Sequence, residues 1–422
     1  MKRTGHILSA MLLFASVAVT AQTPQVRKDS LILEESIVVG MGTQKRNTVT
    51  AAVSTVRPEM VSSRPVTDLT SALQGNVPGL VFRTDATSDG TGGEPGAAIQ
   101  FNIRGIGSIN ANEPYVLVDG VEQSLQNVNA ADIESITVLK DASASSVYGA
   151  RAAYGVVIVT TRSGSEGPAK VSYRGTVGYT SPINMPRMMT SSQFAGYMDE
   201  MRTNVGATPI FTESVLKQIE GFAADPYSET YPGVGVNANG DNWASSYYTQ
   251  YACTDWFDYY FKDRSLRQSH NLSISGGNRK IRYYLGAGYM YQNGLMDHVK
   301  DELDKYHVNI RLAFQPKQWL SFSVSNNATV TVLDRPLANQ TIFYAQISDK
   351  YPTQAVILPI DSDYDIPSWN EVMYLKATSF NRASISDAMT LSVTVTPLDG
   401  WDITADMKGR LDVQNNSFIM GF

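Results

Sequence analysis

The chain contains little of the chemistry that builds cross-links, metal centres or active sites. Its 422 residues include one cysteine, Cys253, so no intramolecular disulfide can form and stability has to come from packing or sheet closure. The four histidines never fall at the spacing of zinc ligands. No Ser/His/Asp order, HExxH motif or Walker motif occurs. We therefore expect no catalytic residue, no cofactor and no metal site.

The chain also lacks an excess of positive charge. It carries 34 Lys and Arg against 40 Asp and Glu, a net charge of −6, which argues against a nucleic-acid partner. An apolar run at residues 7–19 is shorter than the roughly 20 residues of a transmembrane helix. Lys2 and Arg3 precede this run, and the small residue Ala21 follows it. This order predicts a signal peptide at residues 1–21 and export of the protein.

Apolar and polar residues alternate after residue 168, which predicts two-faced β-strands. In residues 281–291 the odd positions are apolar or aromatic, whereas Arg282, Gly286 and Gly288 fall on the other face. The same alternation recurs at residues 171–177, 272–274, 306–314, 320–325, 389–395 and 401–407. The sequence therefore predicts about seven strands of roughly 9–13 residues, each with one apolar and one polar face.

A soluble β-sandwich and a transmembrane β-barrel both produce this alternation, and the connections distinguish them. Tight turns at residues 276–280, 315–318 and 397–400 alternate with long segments at 180–267, 293–305 and 333–387. Transmembrane barrels have short periplasmic turns and long extracellular loops, so the alternation favours a barrel. Aromatic residues near strand ends resemble the girdles of such barrels, namely Tyr283, Tyr289, Tyr291, Trp319 and Trp401.

The most informative segment is residues 132–164, DIESITVLKDASASSVYGARAAYGVVIVTTRSG. It combines an apolar run, a charged turn, a small-residue stretch typical of a helix and a β-branched strand, which predicts a βαβ-like unit. Upstream lie Asn102-Ile103-Arg104-Gly105 and the run YVLVDG at residues 115–120. Together these motifs resemble the plug of TonB-dependent outer-membrane receptors of the SusC/RagA family.

The resemblance implies an α+β plug domain at residues 45–164, followed by an antiparallel transmembrane β-barrel at residues 168–422. Residues 22–44 are expected to hold a tether and the TonB-box region. Barrels that hold a folded plug have about 22 strands, and about seven are predicted here. We therefore expect the N-terminal portion of such a receptor, located in the outer membrane.

The resemblance also implies which residues carry function. The TonB-box region, an extended segment able to add as a strand to TonB, is expected at Leu33, Glu34, Glu35, Ser36, Ile37, Val38 and Val39. A first plug strand is the alternative interpretation of this segment. The plug signature is expected at Arg104, Gly105, Asp119, Gly120, Asp132, Glu134, Lys140, Asp141, Tyr148, Gly149, Arg151 and Gly155. Its charged members either hold the plug in the barrel or fix turns within the plug, and the second role is favoured.

The function implied by the resemblance is import without a catalytic step. A glycan or peptide would be captured with a SusD-like surface lipoprotein, and TonB would then shift the plug. Two alternatives stay open: a truncated, non-functional receptor remnant, and a secreted β-rich carbohydrate-binding protein. The Tyr- and Trp-rich segment 180–267 could bind a ligand or simply form a packed outer loop. A TonB-linked signalling receptor is disfavoured, because residues 22–30 leave no room for a folded domain before the TonB box.

Overall fold

The computed structural model describes residues 36–39, 42–45, 53–56, 60, 69–84, 94–97, 99–103, 113–140, 148–235, 250–337, 345–356, 375–398 and 401–420. Several predicted features lie outside these residues: the signal peptide, and Leu33, Glu34, Glu35, Arg104, Gly105 and Asp141. The described residues form a short N-terminal hairpin, a plug and an open antiparallel sheet.

The plug is built around a five-stranded sheet with the strand order β3-β8-β9-β6-β7. The elements up to the end of the plug are β1 (Ser36–Val39), β2 (Gly42–Lys45), β3 (Val53–Val56), α1 (Leu69–Leu73), β4 (Leu80–Thr84), β5 (Ile99–Ile103), β6 (Tyr115–Val118), β7 (Val121–Glu122), β8 (Ile133–Leu139) and β9 (Val156–Thr161). The β1–β2 hairpin and the β4–β5 hairpin are separate two-stranded sheets.

The prediction of a βαβ-like unit at residues 132–164 was wrong in strand direction. A βαβ unit joins parallel strands, whereas β8 and β9 pair antiparallel, and the parallel neighbour of β9 is β6. The part of their connection that is described contains a 3₁₀ turn at Ala150–Ala152. Apolar periodicity identifies both segments as strands, but it carries no information on direction, which the pairing with β6 sets.

Aliphatic side chains from several plug elements form one core. Leu69 and Leu73 of α1 are fully buried against Ile133 and Ile136 of β8, and Val157 of β9 lies in the same cluster. Burying each such side chain contributes about 1.5–3 kcal/mol. The plug therefore has a core of its own, independent of the sheet that follows.

Seven strands follow the plug, and each pairs antiparallel with the next in the chain. They are β10 (Gly167–Thr180), β11 (Ser265–Gly277), β12 (Ile281–Asn293), β13 (Glu302–Lys317), β14 (Leu320–Arg335), β15 (Thr378–Leu398) and β16 (Trp401–Met420). This confirms the predicted strands and their order. The strands are longer than expected, from 13 to 21 residues, because β14 and β15 continue through polar stretches such as Asn326-Asn327 that break the apolar alternation.

The two faces of this sheet have opposite character. Apolar side chains on the outer face are exposed, including Val308 and Leu312 on β13 and Met407 on β16. Polar side chains on the inner face, such as His307 and Asn327, are buried against the plug. A soluble protein hides its apolar face, so this arrangement matches the predicted wall of a transmembrane barrel. Among the described residues β10 and β16 form two edges, and the sheet is open.

Short turns and long connections alternate along the sheet, as predicted. Residues 278–280, 318–319 and 399–400 link one set of strand ends, and residues 181–264, 294–301 and 336–377 link the other. The first long connection carries α2 (Ser191–Asn204), α3 (Glu213–Ala224) and α4 (Trp256–Tyr260). No helix in the described parts of the chain is long and apolar enough to cross a membrane.

The three long connections share an apolar core, which we call the loop core. Trp256 and Tyr260 of α4 pack with Met296 of the second connection and with Ile347 and Leu375 of the third. A hydrogen bond also joins the first and third connections: the Trp256 indole donates to the Tyr351 carbonyl at 2.9 Å. The described part of segment 180–267 is thus packed against the other two long connections.

Candidate functional site at the interface of plug and sheet

Asp132 of the plug lies at the centre of the contact with the sheet. A 3₁₀ turn, Ala130–Asp132, presents its carboxylate, whose side chain is 4% exposed. The Tyr284 hydroxyl on β12 donates to Asp132 Oδ1 at 2.5 Å, and His307 Nε2 on β13 lies 3.1 Å from Asp132 Oδ2. A buried carboxylate is costly unless it has such partners. Asp132 is therefore a contact between plug and wall, and not only a member of a plug turn.

A polar chain extends this contact across β13 and β14. His307 Nδ1 lies 2.9 Å from Thr329 Oγ1, and that hydroxyl donates to the Asn127 carbonyl of the plug at 2.8 Å. Asn327 donates to Gln123 Oε1 at 2.9 Å. All these side chains except that of Asn127 are nearly fully buried. Polar groups meet polar groups, so the plug is held by hydrogen bonds and not by an apolar seam.

Two glycines on the inner face of β12 allow the plug to approach this closely. A Cβ at Gly286 would overlap Asp132 Oδ1, and a Cβ at Gly288 would lie 2.5 Å from Asn129 Nδ2. Asn129 also donates to Asn271 Oδ1 on β11 at 2.6 Å. Any larger side chain at these positions would displace the turn that carries Asp132.

Asp119 forms a second contact between plug and sheet. It lies with Gly120 in the tight turn between β6 and β7, where φ is 47° and 80°, which suits a two-residue hairpin turn of type I′. The Asp119 carboxylate accepts from Thr161 within the plug at 2.6 Å and from Ser325 on β14 at 3.2 Å. Arg311 of β13 approaches it at 3.3 Å. This carboxylate fixes a plug turn and ties it to the wall at once.

The other described signature residues act within the plug. Lys140 donates to the Pro78 carbonyl at 2.5 Å, and exposed Glu134 lies with its Oε2 3.5 Å from the Ser163 hydroxyl of the plug. Arg151 pairs with Glu122, and its guanidinium lies 5.0 Å from the centre of the Tyr115 ring. The favoured role in plug turns thus fits these three, whereas Asp119 and Asp132 reach the wall.

Tyr148, Gly149 and Gly155 surround the same plug turn. Burial, with the Tyr115 hydroxyl as a second cause, raises the pKa of Tyr148. Gly149 and Gly155 have φ of 73° and 95°. At Gly155 a Cβ would also lie 2.6 Å from Ile103 Cδ1 and 2.9 Å from the Leu139 carbonyl. These signature residues shape a turn of the plug.

A further contact joins the plug to the long-loop ends of the strands. Buried Glu94 of the plug lies 3.4 Å from Arg335 Nη1 at the end of β14. Asp301, in the turn between β12 and β13, is 1% exposed. Burial, with the Glu94 carboxylate as second cause, raises the pKa of Asp301 to about 6. We therefore expect the stability of this corner of the interface to depend on pH.

The TonB-box region is described only in part. Ser36–Val39 is a strand that pairs with Gly42–Lys45 and with no strand of the plug sheet in the described chain. An extended conformation agrees with the predicted segment. The pairing gives no support to the alternative of a first strand in the plug sheet, and the TonB contact itself stays a prediction.

Sequence reasoning missed most of the partners on the sheet. Tyr284, Arg311, Asn327, Thr329 and the plug residues Gln123, Asn127 and Asn129 were not expected as site residues. The available signal was the polar face of the alternating strands, on which Gly286 and Gly288 fall. Among the described residues, no group of three His, Cys, Asp or Glu side chains could hold a metal ion.

Comparison with known proteins agrees with this architecture. Residues 45–156 match the family TonB-dependent Receptor Plug Domain. TonB-dependent receptor SusC of Bacteroides thetaiotaomicron is 30% identical over 291 residues, which cover 66% of this chain and 24% of SusC. TonB-dependent receptor P26 of Formosa agariphila is 30% identical over 332 residues, which cover 73% of this chain and 29% of that protein.

The fold is also similar to a solved structure. The RagAB peptide importer in its open-open state aligns with a TM-score of 0.66 and 24% identity over 91% of this chain and 43% of that chain. The aligned part of this chain spans only 24% and 29% of the length of these two curated relatives.

A plug domain packed by its polar face on the inner side of an antiparallel sheet with an apolar outer side defines a TonB-dependent receptor. Within that class the chain is SusC/RagA-like in sequence and in fold. TonB-dependent receptors are outer-membrane proteins.

Proposed function

We propose that this chain forms the plug and part of the barrel wall of a TonB-dependent nutrient importer in the outer membrane. The importer takes up glycans or peptides together with a SusD-like surface lipoprotein, and an export signal at residues 1–21 directs it there. The proposal depends most on the polarity of the two faces of the sheet. The polar face is buried against the plug, and the apolar face is exposed.

The contact between plug and wall suits a plug that has to be displaced. It consists of hydrogen bonds and charge contacts at Asp119, Asp132 and Glu94, each of which can exchange for water when the plug shifts. If the interface were apolar, displacing the plug would expose apolar surface to water in the lumen, at a free-energy cost of about 25 cal/mol per Å². A polar interface therefore favours reversible opening.

Residues 33–39 are proposed as the segment that TonB engages. Their described part, Ser36–Val39, is extended and lies outside the plug sheet, which favours capture by strand addition. Pulling on this segment acts on the plug through β3, a four-residue edge strand of the plug sheet. The energy for import then comes from TonB, and the chain itself needs no reacting group.

A secreted carbohydrate-binding protein is less favourable than an importer. Such a protein would turn the apolar face of β10–β16 toward an interior, whereas Leu312, Phe314 and Met407 are each at least 41% exposed. The fold similarity to the RagAB peptide importer supports the importer and, for the ligand, the peptide alternative.

The test uses the full-length receptor in its own cell, with and without residues 33–39. We expect the deletion to abolish ligand uptake while ligand still binds at the cell surface, because only the pulling site is lost. A matched control deletes residues 24–30, an equal length of the tether, and should leave uptake intact. Unchanged uptake after loss of residues 33–39 would refute the assignment of the TonB-box region. Absence of the receptor from the outer-membrane fraction would refute the importer itself.

A further inference from the structure

Two neighbouring short turns of the sheet carry exposed basic side chains. Arg279 and Lys280 lie in the turn between β11 and β12, and Lys317 ends β13 directly before the turn to β14. We call these three residues the turn cations. The two turns lie side by side, because the Gln315 N–H donates to the Lys280 carbonyl at 2.7 Å. In the proposed importer the short turns face the periplasm, so the turn cations lie at the periplasmic boundary of the membrane.

A β-bulge turns Lys317 toward the outer face of the sheet. Phe314 pairs with Phe322, and after a shift in register the next pair is Lys317 with Leu320. Residues directly opposite each other share a face, and Leu320 lies in the same outer row as Phe322. Strict alternation from Phe314 would have put Lys317 on the inner face. The bulge therefore places a cation at the edge of the apolar face.

Exposed aromatic side chains flank the turn cations on this face. Trp319 and Trp401 are each more than half exposed, and the rings of Phe314 and Phe322 stack with their centres 6.3 Å apart. The Trp319 carbonyl accepts from the Thr396 N–H at 2.8 Å, which ties this turn to β15. Tryptophan side chains favour the boundary between hydrocarbon and headgroups. The turn cations thus lie at the depth of lipid phosphates.

The turn cations have no counter-charge within the described chain. Glu166, just before β10, and Asp402 of β16 lie at the same ends of the strands, but neither forms an ion pair with them in the part that the structure describes. The long-loop end differs, because Lys300 there already pairs with Glu302 at 2.8 Å and with Asp334 at 2.5 Å. A ligand phosphate would therefore meet unneutralised positive charge only at the short-turn end of this comparison.

We propose that the turn cations bind the phosphate groups of anionic phospholipids in the periplasmic leaflet and so hold this wall at a fixed depth in the membrane. The proposal rests on the lipid-facing wall of the proposed function. A lipid with net negative charge, such as phosphatidylglycerol, suits the site better than zwitterionic phosphatidylcholine. Each Lys or Arg near an anionic lipid surface strengthens binding by a factor of about five. A soluble periplasmic partner would leave the outward turn of Lys317 beside exposed tryptophans unexplained.

Tryptophan fluorescence of the purified full-length receptor measures which lipid lies beside Trp319. The receptor is placed in phosphatidylcholine vesicles that contain a minor fraction of dibrominated phosphatidylglycerol or dibrominated phosphatidylcholine, because bromine quenches nearby tryptophan. Subtracting the signal of the Trp319→Phe variant isolates Trp319. We expect phosphatidylglycerol to quench Trp319 at about tenfold lower content than phosphatidylcholine, with a preference that shrinks as salt is added.

Variants locate the preference within the receptor. The double substitution Arg279→Gln with Lys317→Gln removes one cation from each turn and should abolish most of the preference. The matched control, Arg187→Gln with Lys217→Gln, removes the same two charges from exposed positions in the long connection between β10 and β11, at the other end of the strands. The control should keep the full preference.

Equal quenching by the two lipids, or equal loss of preference in both double variants, would overturn the lipid assignment and leave the turn cations to a soluble periplasmic partner. Ligand uptake by cells separates this failure from a failure of the importer, because import depends on residues 33–39 and not on these turns. A receptor that does not enter the vesicles at all would overturn both the inference and the lipid-facing wall on which it rests.

Discussion

The hydroxyl of Tyr284 on the sheet and the carboxylate of Asp132 in the plug are joined at 2.5 Å, although 152 positions separate them in the chain. Gly286, two residues further along the same strand, leaves the space that the carboxylate occupies. The donor and the gap lie on one face because side chains alternate along a strand. One strand of the wall thus supplies both the partner and the room for the plug.

Replacing Asp132 should loosen the plug. In Asp132→Ala the buried Tyr284 hydroxyl and His307 imidazole lose their shared partner, at a cost of about 1–3 kcal/mol each. Limited proteolysis of the full-length receptor should then cut the plug faster. Glu134 is exposed and lies at long hydrogen-bond distance from Ser163 of the plug, so Glu134→Ala is the control and should leave the rate unchanged. Equal rates in the two variants would contradict the role of Asp132.

Adding one methyl group at Gly286 should have a similar effect. The new Cβ would overlap Asp132 Oδ1, so Gly286→Ala should displace the carboxylate at a cost of about 1–3 kcal/mol. Thermal unfolding of the purified receptor should report this as a lower Tm for the plug. Gly178 lies on the inner face of β10 with open space around its Cβ position, so Gly178→Ala should leave the Tm unchanged. A normal Tm for Gly286→Ala would show that the turn can shift without cost.

The turn that contains Asp301, between β12 and β13, should become less stable as the pH rises. Burial and Glu94 raise its pKa from the ordinary 3.8 to about 6, against the opposing charges of Lys262 and Arg335. Between these two values the folded state binds more protons than the unfolded chain, so stability falls with rising pH, by about 3 kcal/mol at most.

Hydrogen exchange in residues 294–301 measures this effect. Protection should be greater at about pH 5 than at about pH 8, and Asp301→Asn should remove the difference and protect the turn at the higher pH. Asp297→Asn makes the same charge change at a less buried position in the same turn and should keep the difference. Protection that rises with pH in the unmodified receptor would contradict the predicted loss of stability at higher pH.

Adjacent positions on β15 should respond oppositely to a charge. Leu391 faces outward and Ser392 faces inward, although both are half-buried. Leu391→Arg in the full-length receptor should cost about 2–4 kcal/mol near the bilayer midplane, whereas Ser392→Arg enters a wet lumen. The amount of receptor in the outer-membrane fraction reports the difference. Equal yields would mean that the outer face does not contact lipid.

The TonB-box proposal has a backbone test. Val38 lies in the described strand Ser36–Val39, and a proline there removes an N–H that strand addition uses. Val38→Pro should therefore reduce uptake strongly without affecting surface binding of the ligand. Val38→Thr keeps the N–H and should behave as the unmodified receptor. Full uptake by the proline variant would exclude backbone pairing at this position.

The alternation of apolar and polar residues predicted the strands well, because each face of a strand carries the residue type that suits its surroundings. Residues 281–291 show this, since their odd positions meet the outside and their even positions meet the plug. Strand direction in residues 132–164 could not be read in the same way. Direction depends on the partner strand, and β6, the partner of β9, lies 38 residues or more upstream of it.

The interface was less predictable than the fold. Asp119 and Asp132 stood out through the family motif, but their partners Arg311 and His307 lie on a strand that is remote in sequence. Which inner-face residue meets which plug turn depends on how the plug is seated. No local pattern encodes that seating, and the glycines at 286 and 288 were its only visible trace in the sequence.

The loop core has a mechanical consequence. Trp256, Met296 and Leu375 come from three different connections and are each no more than 2% exposed. Pulling one of these segments away would strip apolar surface from the other two. The three long connections should therefore move together as one rigid unit. A ligand that displaces one connection would displace the other two with it.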